Sequence, residues 1–192
     1  MGHSLGAFYG RTFAERYPNQ TLGLVLLDPA HEQQLDRLSE DAKAEFEEAG
    51  QMFRWAARLA RLGLFRLSNP QEEAPIDLPE DTARQIVTVS AAASYWQAAG
   101  AEVDAFDALA AAPPHEFGDL PVMVISAGRD VPGGPEVREV MDDLHREVAS
   151  RAPQVTHQTI GEADHLTLLT VEDHARAVST LILELLPQAL DP

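Results

Sequence analysis

Two short apolar runs constrain this chain more than any other feature. Leu22-Gly23-Leu24-Val25-Leu26-Leu27 is nearly continuous in apolar residues and stops at Asp28-Pro29, and Pro121-Val122-Met123-Val124-Ile125 stops at Ser126-Ala127-Gly128. Runs this short, without polar alternation, suit strands buried on both faces, and such strands occur in parallel sheets covered by helices. Val155 to Ile160 reads as a third, weaker strand. Helical patterns over 5–16, 135–151 and 171–186 alternate with these strands, which predicts an α/β fold with a mostly parallel sheet.

Residues 31–120 lie between the first two strands and show helical patterns without a convincing strand. Ser39-Glu40-Asp41 starts one helix, its acidic first turn matching the helix dipole. Leu78-Pro79-Glu80-Asp81 starts another, with proline near the beginning. Asn69 to Pro79 reads as a polar linker. From Ala49 to Gln71 no acidic residue occurs, and Arg54, Arg58 and Arg61 share one side of a helix beside Phe53, Trp55, Leu59 and Leu62. This stretch reads either as a pocket lid or lipid-facing surface, or as a helix with an apolar inner face and a solvated arginine edge.

The chain has 192 residues, enough for one compact domain, and a 45% hydrophobic fraction that can furnish a core. It carries 31 acidic against 14 basic residues, a net charge of −17. That surface repels nucleic acid and anionic membranes, so neither is an expected partner. No apolar run reaches the roughly 18 residues of a transmembrane helix. The absence of cysteine excludes a thiol nucleophile, disulfides and thiolate metal sites. No metal-ligand spacing stands out, and a cytoplasmic location is the default expectation.

Gly2-His3-Ser4-Leu5-Gly6 fits G-x-S-x-G. In that motif a serine sits on a tight strand-to-helix turn, and small residues on either side let the backbone pass. The hydroxyl then stands above a helix N-terminus whose N–H groups favour a developing oxyanion. The Leu5 N–H is the expected donor, and His3, inside the turn, is a candidate substrate contact. The same five residues also fit a glycine-rich helix start with a capping serine. A serine nucleophile needs a base, and the base an orienting acid. Asp130, in Ser126-Ala127-Gly128-Arg129-Asp130, and His165, in Gly161-Glu162-Ala163-Asp164-His165-Leu166, both lie beyond strand ends, where open parallel sheets place their sites. Asp130 also suits a turn before Pro132-Gly133-Gly134, and His165 a loop or cap. Asp28 ends a strand too and is a rival acid; Pro29 after it suggests a structural turn. His31, soon after it, reads as a surface residue or as one that faces the pocket.

Taken in order, GHSLG, a strand ending in Asp-Pro, a helical insertion, PVMVISAGRD and GEADHLTLL resemble the α/β-hydrolase superfamily. The resemblance spans the chain apart from the middle of the insertion. It implies the C-terminal part of that fold, with about three strands. Residues 1–30 would be the nucleophile elbow, helix and following strand, 31–120 a helical cap, and 121–192 the C-terminal core. It implies Ser4 as nucleophile, Asp130 as acid and His165 as base of a serine hydrolase that acts, without a cofactor, on a small ester or apolar acyl substrate through an acyl-enzyme. A perhydrolase or acyltransferase shares the same triad.

Only Met1 precedes the motif, so the resemblance also implies an N-terminally truncated chain. The expected second oxyanion donor, from a loop near a His-Gly pair, has no counterpart, because no His-Gly dipeptide occurs. Leu22–Leu27 is then expected to be an exposed edge strand open to self-association. The chain alone is expected to be poorly soluble or inactive, or to act as a non-catalytic assembly module.

Overall fold

The computed structural model describes residues 1–73, 77–112, 117–129, 134–151 and 155–190. A parallel four-stranded sheet in the order β1-β2-β3-β4 organises it, with β1 at Gly2–His3, β2 at Leu24–Leu27, β3 at Val122–Ala127 and β4 at Val155–Ile160. Every residue of β2 and β3 is buried. Their side chains alternate between two cores, as the pleat requires. Leu24, Leu26, Val122 and Val124 face Ala7 and Val148. Val25, Leu27, Met123 and Ile125 face Ala163, Leu168, Val178 and Leu185.

The helices supplying these covers are α1 (Gly6–Arg16), α7 (Gly134–Ala149), α8 (Thr167–Thr170) and α9 (Glu172–Leu190). Thus α1 and α7 lie on one face and α8 and α9 on the other, which explains the unbroken apolar runs. β4, the last strand in the order, is only partly buried and carries Thr156, His157 and Gln158. Its mixed sequence suits an edge.

Between β2 and β3 lie α2 (Gln34–Arg37), α3 (Glu40–Arg61), α4 (Glu80–Ser90), α5 (Ala93–Asp104) and α6 (Phe106–Ala110). The Ser39 hydroxyl caps α3 by accepting from the Ala42 N–H at 3.4 Å. Ala56, Ala57 and Ala60 form the inner face of α3 and pack with Phe53, Phe65 and Trp96. The Trp96 indole donates to the Ser90 carbonyl at 2.7 Å. The arginine side of α3 meets solvent: Arg54 pairs with exposed Asp104, and Arg58 stacks over exposed Trp55.

Two expectations change. The sheet has a fourth strand, because the two residues Gly2 and His3 pair with Leu26 and Leu27. A two-residue strand inside a turn motif carries no periodicity to read. Leu22–Leu27 is accordingly not an edge strand: β2 lies between β1 and β3, while Leu22 falls outside the strand and is 60% exposed. β1 covers only the C-terminal half of β2, so an apolar groove of 790 Å³ runs beside β1 and the start of β2 between Phe13, Leu22 and Leu185.

Candidate functional site

Ser4 connects β1 to α1 and has φ 55°, in the left-handed region that a residue with a Cβ adopts at a cost of about 1–3 kcal/mol. Its neighbours hold it there. The Ser4 N–H donates to Leu27 O at 3.1 Å, and the Ser4 carbonyl accepts from Ala7 and Ala30 N–H groups at 3.0 and 3.1 Å. Gly2 is required by contact, since a Cβ there would stand 2.2 Å from the Gly6 carbonyl oxygen. At Gly6 an added Cβ would meet nothing within 4 Å. Of the two motif glycines, the first alone is demanded by space.

His165 lies in the turn after β4, which Asp164 stabilises by accepting from the Leu166 and Thr167 N–H groups at 3.0 and 2.9 Å. The other side of this turn is tied to the end of β3, where Gly128 and Arg129 N–H groups donate to Ala163 O. The His165 Nδ1–H donates to Asp28 Oδ2 at 2.6 Å. Asp28 follows β2 directly and is, among the described residues, the second non-glycine residue with positive φ, 38°. Its other oxygen accepts from the Ala127 N–H at 3.0 Å and faces the Arg138 guanidinium at 3.4 Å. Burial raises the Asp28 pKa, but the His165 hydrogen bond, followed by the nearby His145 and His165 rings and the Ala127 N–H, outweighs it. The carboxyl therefore stays well below the usual carboxylate range.

The turn carrying Asp28 is anchored beyond it as well. The carboxylate of Glu32 receives Arg11 of α1 at 2.9 Å and Arg151, just past α7, at 2.6 Å. His31 beside it is fully buried rather than at the surface.

Ser4, Leu5, Asp28, Arg138 and His165 share the wall of one cavity of 470 Å³. The rest of that wall is largely apolar and comes from α3, α5, α6 and α7, including Phe46, Phe53, Val103, Phe106 and Met141. Leu5 is the cap residue of α1, so its N–H lies at the N-terminal end of an 11-residue helix. No hydrogen bond joins the Ser4 hydroxyl to His165 among the described residues.

Geometry bears on the acid and on His3 among the expected site residues. The carboxylate hydrogen-bonded to His165 belongs to Asp28, the rival acid that Pro29 after it marks in sequence as a turn residue. Its position at the very end of a central strand was the usable signal. Asp130 lies outside the described residues. His3 does not line the Ser4 cavity; its Nε2–H donates to the His165 carbonyl at 2.9 Å and its ring stacks 4.4 Å from that of His165. Burial, assisted by His165, lowers the His3 pKa, consistent with a neutral ring that supports the His165 turn.

A parallel sheet with a serine elbow at one strand end and a histidine–carboxylate pair at two others defines an α/β protein of hydrolase architecture. Comparison with solved structures assigns the chain the α/β-hydrolase fold. It resembles MenH from S. aureus with a TM-score of 0.58 and 17% identity over 99% of this chain and 68% of that one. DBJA gives 0.59 and 14% over 99% and 69%. BpoC from Mycobacterium tuberculosis gives 0.54 and 21% over 98% and 66%. The chain thus spans about two thirds of each, and at such identities the likeness is one of fold. No family model and no curated protein matches the sequence.

Proposed function

We propose that this site is that of a serine hydrolase cleaving an ester or related acyl bond, with Ser4 as nucleophile, His165 as base and Asp28 as the orienting acid. The observation that carries the proposal is the 2.6 Å bond from His165 Nδ1 to Asp28 Oδ2 on the cavity that also holds the elbow serine. With its proton on Nδ1, His165 presents a free Nε2 lone pair for the Ser4 hydroxyl. Ser4 Oγ attacks the acyl carbon while His165 accepts the proton, and Asp28 balances the imidazolium that forms. The Leu5 N–H and the α1 dipole stabilise the oxyanion. His165 then protonates the leaving alkoxide, and water enters by the same steps to release the acid. The helices between β2 and β3 serve as a cap, and their apolar side chains suit an apolar acyl group. Transfer to an acceptor other than water would use the same triad.

A fluorophosphonate probe tests the reading: the folded protein should be labelled, the adduct should map to Ser4, and Ser4→Ala should abolish labelling. A folded protein that resists the probe would refute it. That outcome would favour a non-catalytic assembly module acting through the apolar groove beside β1, where the sheet edge is incompletely covered.

A further inference from the structure

A buried file of side chains meets the Asp28 turn from the interior, and the chemistry above makes no use of it. Ser126 of β3 and His145 of α7 are fully buried, and His157 of β4 is partly so. Ser126 Oγ lies 2.7 Å from His145 Nδ1 and 2.8 Å from His157 Nε2. His145 Nε2 lies 2.9 Å from the Pro29 carbonyl oxygen. With neutral rings the protons fit in one arrangement. The Pro29 oxygen can only accept, so His145 carries its proton on Nε2. Its Nδ1 is then an acceptor, and Ser126 donates its O–H there. The Ser126 oxygen in turn accepts the His157 Nε2–H.

Charged and titratable groups face His145 from three sides: Asp28 from the end of β2, His157 from β4, and Arg138 from its own helix. Burial, the largest influence, pushes the His145 pKa down to about 4 against the pull of Asp28. The ring is therefore neutral near neutral pH, although its Nδ1 lies only 3.9 Å from Asp28 Oδ1.

We propose that His145 is a positioning residue for the Asp28–His165 pair. It fixes the Pro29 peptide and, through Ser126, the end of β3, without placing a second cation beside the carboxylate. Pro29 follows Asp28 directly and its ring fixes φ, so the Pro29 carbonyl held by His145 is joined to the Asp28 backbone through a single soft torsion, the Pro29 ψ. A charged His145 would compete with the imidazolium formed at His165 for the same carboxylate. The inference rests on the serine-hydrolase reading for its kinetic consequence, but its structural consequence can be measured separately.

The test compares His145→Phe, His145→Gln and Ser126→Ala with the wild type. The readouts are ester hydrolysis and the downfield proton NMR resonance of the hydrogen-bonded His165 Nδ1–H. In folded H145F, kcat should fall about tenfold or more with KM little changed, because a misplaced catalytic group costs rate rather than binding. The His165 resonance should disappear through exchange. H145Q can still donate to Pro29 and should recover most of kcat and the resonance. S126A, nearly neutral in volume, should lose about threefold in kcat and broaden the resonance. Wild-type kcat and resonance in folded H145F would overturn the proposal. If H145F does not fold, an unchanged S126A would overturn it. A wild type that shows the resonance but no hydrolysis counts against the hydrolase reading alone, while the NMR comparison still decides the role of His145.

Discussion

Replacing Asp28 by asparagine separates the two carboxylates that could orient His165. Asp28 accepts from two directions, with Oδ2 on His165 Nδ1 and Oδ1 on the Ala127 N–H. An amide offers one acceptor oxygen. The Ala127 N–H is a buried, fixed backbone donor, and leaving it unpaired costs about 1–3 kcal/mol, so the amide oxygen should stay there. The amide nitrogen then faces His165, which answers by moving its proton to Nε2. In that tautomer the ring cannot take the Ser4 proton. The expected loss is about 10⁴ in kcat, or roughly 5.5 kcal/mol of transition-state stabilisation. Asp130→Asn should stay within about threefold of wild type, since Asp28 still holds the His165 proton on Nδ1. The assay is the second-order rate of fluorophosphonate labelling together with turnover of a short p-nitrophenyl ester, each variant first shown to be folded by circular dichroism. A folded D28N that labels within about tenfold of wild type, beside a D130N that loses about 10⁴, would refute the reasoning and give Asp130 the role.

Two further outcomes are expected. Gly2→Ala should destabilise the protein by about 3 kcal/mol or prevent folding, because its Cβ would collide with the Gly6 carbonyl. Gly6→Ala should be neutral or stabilising by up to about 1 kcal/mol, since the site is open and helical; thermal melts that rank the two the other way would contradict the elbow packing. Acid should also weaken the fold before the carboxylates titrate. Burial pushes both His145 and His31 down to about 4, so the unfolded chain takes up protons from about pH 6.5 downward while the folded one does not. The histidine contribution should therefore lower urea-unfolding free energies between pH 7 and 4, and the depressed carboxylates Asp28 and Glu32 should continue the fall below that. In H145Q the slope should be shallower by about 1.4 kcal/mol per pH unit over that window, and an unchanged slope would show that His145 is not neutral in the folded state. Asp28 works in the same sense over a lower range: its depressed pKa stabilises the fold above the ordinary carboxyl value near 4, and that contribution is lost as pH falls further, through the folded value.

Sequence reasoning reached the elements whose signal is local. The apolar runs of β2 and β3 followed from burial on both faces, and Ser39 from the capping of α3. The elbow at Ser4 followed from small residues flanking a strand-to-helix turn, and the backbone there does adopt a positive φ. The strand Gly2–His3 was missed because two residues show no period, and its pairing with Leu26 and Leu27 exists only once the sheet assembles. Asp28 was seen as a rival but read as a turn, since a strand-ending Asp-Pro looks the same whether its carboxylate turns outward or inward.

What the amino-acid order determined by itself was the burial of the apolar strands and where the chain reverses, because periodicity, caps and turn chemistry act over a few residues. The choice of carboxylate for His165, the withdrawal of His3 from the cavity and the linkage of Ser126, His145 and His157 were decided by the tertiary structure. Asp28 and His165 are 137 residues apart in sequence. Their meeting depends on the order and register of strands from distant segments, which no local pattern encodes.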